Sequence, residues 1–146
     1  MSDYPPLSTQ VIGTTESALG ALLEPLLAEA GLTFPQWVVL VIATARAANG
    51  APVDQNQLIA TITKARKFDQ AEVAAAIAEL GAAAALQVGD GTVTLTEAGR
   101  ARHGQVRARL AKITARLFDF PAEDLATAGR ILGVITERAN ALLEAS

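Results

Sequence analysis

Apolar residues recur at helical spacing along most of this chain. Val11, Thr15, Ala18, Leu19, Leu22, Leu23, Leu26 and Leu27 fall on one helical face, which predicts a long amphipathic first helix. Pro25 lies inside it without an N–H to offer the carbonyl of Ala21, so a kink or a break is expected there, and Gly31 supplies the stop. Thr33 is the expected N-cap of a second helix with Pro35 in its first turn. The run Trp37-Val38-Val39-Leu40-Val41-Ile42 is apolar on every side, so this helix should be central and buried.

From Asn49 the chain turns through Gly50 and Pro52 into two short helices with marked starts. Asp54 followed by Gln57, and Asp69 followed by Glu72, each fit a capping box. Leu58, Ile59 and Ile62 line the inner face of the first, and Val73, Ile77 and Leu80 that of the second. Between them lies a basic turn, Lys64-Ala65-Arg66-Lys67-Phe68, so the pair predicts a helix-turn-helix. After Gly81 and an alanine run, Leu86-Gln87-Val88 and Thr92-Val93-Thr94-Leu95 flank Gly89-Asp90-Gly91 and read as a small β-hairpin. A hairpin after a helix-turn-helix is a wing.

Two further helical stripes close the chain. Val106, Leu110, Ile113 and Leu117 mark one, and Leu125, Ala128, Leu132, Ile135, Ala139 and Leu142 mark the other at steps of 3, 4, 3, 4 and 3, the spacing of an a/d seam. These stripes either pair with a second copy or cover the chain's own core. Pairing is favoured, because long flanking helices in so small a chain have little of their own to cover.

With 146 residues and 51% hydrophobic composition the chain has enough apolar content for one full core. It has no cysteine and a single histidine, His103, which excludes disulfides, thiol redox sensing and a Cys/His metal cage. The opening Met1-Ser2-Asp3-Tyr4-Pro5-Pro6 lacks a basic lead into an apolar stretch, and Trp37 to Ala43 is too short to span a bilayer; a soluble, cytoplasmic protein without membrane association is expected. No Gly-rich phosphate loop and no nucleophile, base and orienter set is present, so neither enzyme activity nor a cofactor is expected. The net charge is −3, but its distribution changes the picture: residues 1–63 carry −4, residues 64–116 carry +4 and residues 117–146 carry −3. A basic middle between acidic ends suits a DNA-facing module on an acidic body. The plainer alternative is that these charges simply solvate helix faces.

The order Gly31-Leu32-Thr33-Phe34-Pro35-Gln36-Trp37, the capped helix pair, and then Val93-Thr94-Leu95-Thr96-Glu97-Ala98-Gly99-Arg100 resembles the MarR family of transcription regulators from about Leu7 to Leu143. The resemblance implies a mainly α winged helix-turn-helix in one domain, 1–146, with dimerisation helices at 7–30 and 100–146 around a winged core at 34–99. It implies a homodimer that binds double-stranded DNA and responds to a small, often aromatic ligand held between the dimerisation helices and the winged core. Locally, Thr96 caps the helix after the wing and Glu97 meets its positive end.

Candidate DNA contacts are Lys64, Arg66 and Lys67 in the turn, Gln70 and Ala74 on the recognition helix, and Arg100, Arg102 and Arg107 after the wing. Arg109, Lys112 and Arg116 more readily serve the helix end or pair with acids. Candidate ligand contacts are Phe34, Trp37 and Tyr4, with Arg46 for an anionic group; Phe34 and Trp37 also read as core aromatics, and His103 as a surface or dimer-side residue. The chain departs from the family at two places. The outward recognition positions are Gln70, Ala71, Ala74, Ala75 and Ala78, and the wing turn has no base. Gln70 suits adenine and alanine suits thymine methyls, so base readout would be thin. A dimeric winged helix with weak or lost specific DNA binding, acting as a ligand-binding or interaction module, is the alternative.

Overall fold

The computed structural model describes residues 3–47, 50–65 and 67–146. Its elements are α1 (Thr9–Ala30), α2 (Phe34–Arg46), β1 (Val53–Asp54), α3 (Gln55–Lys64), α4 (Gln70–Ala82), β2 (Leu86–Gly89), β3 (Thr92–Leu95), α5 (Glu97–Leu117) and α6 (Ala122–Glu144). The chain divides into two compact units, Met1–Leu110 and Ala111–Ser146. No single helix among the described residues is long and apolar enough to cross a membrane.

The first unit is a mainly helical winged helix-turn-helix. Its core gathers Leu40 of α2, Leu58 of α3, Val73, Ile77 and Leu80 of α4, Val93 of β3 and Val106 of α5, all fully buried. α2, with its apolar run Trp37–Ile42, is central, as its sequence predicts. Thr33 and Gln36 exchange both bonds of a capping box at its start, and the Gln36 amide also donates to Glu79 of α4 at 3.1 Å. Pro25 does not break α1, which runs unbroken from Thr9 to Ala30. A proline removes one hydrogen bond and crowds one carbonyl, and flanking turns with apolar packing by Leu23, Leu26 and Leu27 keep the helix continuous across it. Gly31, at φ 71°, ends it with a Schellman motif in which the Leu32 N–H reaches the Leu27 carbonyl at 2.9 Å.

The wing is antiparallel, with Leu86 opposite Leu95 and Gly89 opposite Thr92. Asp90 and Gly91 form a two-residue turn, both at positive φ (55° and 74°), the requirement of the hairpin turn whose twist matches its strands. The sheet has a third strand absent from the sequence reading: β1 pairs with β3, Val53 opposite Val93. Two residues are too few to show an alternating pattern.

The start of α5 is locked against the end of α4. Ala84 adopts a left-handed conformation (φ 63°), and its carbonyl accepts the Thr96 hydroxyl at 2.7 Å. Thr96 Oγ1 in turn accepts the Gly99 N–H at 3.0 Å, the predicted cap. A Cβ at Gly99 would collide with the Ala85 carbonyl oxygen and come within 3.0 Å of Leu95 Cδ1. The Thr-Glu-Ala-Gly sequence thus has a mechanical reason: α5 passes too close to the chain before the wing for any side chain at position 99.

The second unit holds the end of α5 and α6. Glu123 and Asp124 in the first turn of α6 meet its positive pole. No residue of α6 is buried, and Leu125, Ala128, Leu132, Ile135, Ala139 and Leu142 are all exposed.

Candidate nucleic-acid interface and ligand groove

The candidate recognition helix, α4, is set by its N-terminus. The Asp69 carboxylate accepts the Glu72 N–H at 2.8 Å while the Glu72 carboxylate accepts the Asp69 N–H at 3.1 Å, so Glu72 is a capping residue. At the start of α3 only half of the expected box forms, Asp54 accepting from the Gln57 N–H at 3.0 Å. Beyond its cap α4 exposes Gln70, Ala71, Ala75 and Ala78, whereas Ala74 is half-buried against the core. Of the candidate base-facing positions, Ala74 is therefore the least outward.

The candidate phosphate-binding cations divide. Lys64 ends α3, and Arg100 lies in the first turn of α5; both are exposed. The Arg100 guanidinium reaches back over the loop before β1, with Nη2 3.6 Å from where a Cβ of Gly50 would stand. Arg102 is half-buried, and Arg107 is exposed one turn further along. Arg66 lies outside the described residues. Lys67 forms an ion pair with Glu16 of α1, and its ammonium sits 4.8 Å from the centre of the Phe34 ring. Beside that ammonium, the Glu16 carboxyl is held below the usual carboxylate range, chiefly through the Lys67 hydrogen bond. Arg109 pairs with Glu29 of α1, so it serves α1–α5 contact as a structural cation.

The candidate ligand residues are not brought together. Phe34 and Arg46 are the first and last residues of α2, about 18 Å apart along a helix of this rise. Trp37 is buried in the core and stacks on His103, centroids 5.1 Å apart and planes 20° from parallel. His103 is therefore a core residue and not a surface one: α5 turns this position toward α2, where an imidazole fills the space beside the indole. Burial, with the nearby Arg107 charge, lowers its pKa from the ordinary value. Tyr4 is largely exposed and borders a separate cavity with Ser8, Val11 and Thr15. Among these residues only Phe34 lines the groove between α1 and the α1–α2 turn, a space of about 690 Å³ shared with Gly20, Glu24, Leu27 and Leu32. The Phe34 ring also meets Phe68 of the basic turn at 5.7 Å between centroids, which links this groove to the segment before α4. Among the described residues no group of His, Asp or Glu is placed to hold a metal ion.

The architecture is that of a winged helix-turn-helix, and solved structures with the same fold give it a more particular form. CouR from Rhodococcus jostii RHA1, bound to p-coumaroyl-CoA, superposes with a TM-score of 0.70 at 20% identity over 86% of this chain and 88% of its own. BpsR from Bordetella bronchiseptica, whose DNA binding is regulated by 6-hydroxynicotinic acid, gives 0.70 at 20% identity over 93% and 97%. Sco5413 from Streptomyces coelicolor, a MarR family transcriptional regulator, gives 0.69 at 16% identity over 90% and 91%. The chain carries the fold of the MarR family transcriptional regulators. No protein-family model matches the sequence. No curated protein matches it either.

Proposed function

We propose that this chain is a homodimeric, DNA-binding transcription regulator of the MarR type whose DNA affinity responds to a small molecule. The observation that carries this reading is the capped N-terminus of α4, with exposed Lys64 before it and exposed Arg100 after the adjoining wing, an arrangement suited to gripping phosphates on either side of a groove-entering helix. The unburied a/d seam of α6 suits pairing with a second copy. Ligand response is supported by the likeness to CouR and BpsR, and by the contact of Phe34 with both the groove and the basic turn. Such a regulator acts in the cytoplasm without catalysis.

Three observations favour a second reading, a winged-helix dimer that has lost sequence-selective binding. The exposed positions of α4 are mainly alanine, the wing turn is Asp90-Gly91, and Lys67 is engaged by Glu16. The deciding experiment measures binding to the protein's own upstream DNA and to random duplex at two salt concentrations. Preference for the upstream region of at least about a thousandfold marks a specific regulator. Weak, equal and strongly salt-dependent binding to both favours the second reading, and no binding at either salt concentration removes the first.

A further inference from the structure

The groove along α1 has a charge character opposite to that expected of a site for aromatic acids. Its walls are apolar at Ala21, Leu27, Ala28, Leu32 and Phe34, and among the described residues Glu24 is the one charged residue that lines it. Glu24 forms no ion pair among the described residues. Arg46, the cation that would answer a carboxylate, stands at the far end of α2. Gly20 lies one helical turn before Glu24 on the same face of α1, and a Cβ built on it meets nothing within 4 Å. A mid-helix glycine weakens a helix, and here its bare backbone leaves the floor of the groove open. The exposed leucines of α1, Leu19 and Leu22, project from roughly the opposite side of the helix, so an apolar partner surface and this groove do not coincide.

We propose that this groove is a binding site for a lipophilic organic cation, with an apolar, aromatic body against Leu27, Leu32 and Phe34 and the cationic centre beside Glu24. The Phe34 ring already takes part in a cation–π contact, with the Lys67 ammonium 4.8 Å from its centre and that charge itself paired with Glu16. Among the described residues no cation lines the groove, so an aromatic carboxylate placed in the same space would face Glu24 without one of these residues to offset the repulsion. This names the ligand class for the regulator reading above and rests on it for its biological sense, whereas the binding itself does not require DNA.

The test is calorimetric titration of the full chain, without DNA, with tetraphenylphosphonium and with tetraphenylborate, ions of like shape and opposite charge. The phosphonium is expected to bind and the borate not. Glu24→Gln should weaken phosphonium binding about three- to fivefold, as removal of a half-exposed ion pair does. Gly20→Leu, which fills the open space and improves helix propensity, should abolish binding while the circular dichroism spectrum is kept. Equal binding of both ions, phosphonium binding unchanged in both variants, or no phosphonium binding would each overturn the site. A chain that takes the phosphonium but binds no DNA leaves the groove standing and removes the regulator. A chain that binds DNA but not the phosphonium does the reverse.

Discussion

Trp37 of α2 and His103 of α5 stack almost in parallel, 5.1 Å between ring centres, and both are buried. This one contact ties the long helix after the wing to the central helix of the core. It also places a titratable group where water does not stabilise its charge.

The stack makes stability depend on pH in a defined direction. Burial lowers the folded-state pKa of His103 from 6.5, so below that value the unfolded chain takes up a proton that the folded chain still refuses. Stability from this residue is therefore constant above 6.5, falls as the pH drops below it, and levels off once the lowered folded-state value is passed. Thermal melts followed by emission of Trp37, the only tryptophan, should show this acid-side loss, and His103→Phe should flatten it. A wild type as stable at mildly acid pH as at neutral pH would contradict the stack.

On the proposed DNA-binding reading, Glu16 should compete with phosphate for Lys67. The ion pair holds the lysine of the basic turn against α1. Glu16→Gln should strengthen binding to every duplex alike and steepen the salt dependence by up to about one unit, the signature of one added phosphate contact. Lys67→Ala should then cost little in wild type and more in the Glu16 variant. Equal losses in the two backgrounds would mean that Glu16 does not restrain the lysine.

What the sequence made legible follows the range of the interactions involved. Caps at Thr33, Asp69 and Thr96, the Asp90-Gly91 turn and the buried face of α2 are settled by residues within a few positions of each other, and all appear as read. Features set by distant partners were hidden. The pairing of Glu16 with Lys67 spans 51 residues, and His103 looks like any polar residue on a basic helix until α5 is laid on Trp37. Of the candidate ligand residues on α2 only Phe34 lines the groove: Trp37, one turn on, is buried in the core against His103, and Arg46 stands at the far end of the helix. Gly20 and Glu24 at one-turn spacing were the available signal for the groove, but small and acidic residues on a surface helix carry no mark of a cavity.

The junction before the wing gives a paired prediction of opposite signs. Ala84 sits at φ 63°, a region that penalises a Cβ, so Ala84→Gly should stabilise the protein by about 1 kcal/mol. Gly99→Ala inserts a methyl group against the Ala85 carbonyl and Leu95, so it should destabilise by at least about 1–3 kcal/mol as the helix is pushed off the wing. Denaturant unfolding of both variants checks the pair. A Gly99→Ala protein as stable as wild type would mean that α5 does not approach the wing this closely.

The last prediction concerns the surface that α6 leaves uncovered. Leu132 and Ile135 remain 41% and 38% exposed, and no residue of the helix is buried, although its apolar positions keep the alternating steps of a two-helix seam. Apolar side chains at such spacing gain roughly 1.5 to 3 kcal/mol each when fully covered, so several together can offset the entropy lost on association. Leu132→Asp with Ile135→Asp should therefore convert a dimer into monomer or aggregate, because a charge cannot be buried in the seam without a partner. Both groups are exposed in the single chain, so the folded core of the first unit should survive, and its melt followed at Trp37 separates lost pairing from lost folding. Light scattering on wild type at micromolar concentration comes first: a monomer there would remove the seam as an interface, whereas a dimer that persists in the double variant would place the interface on another face.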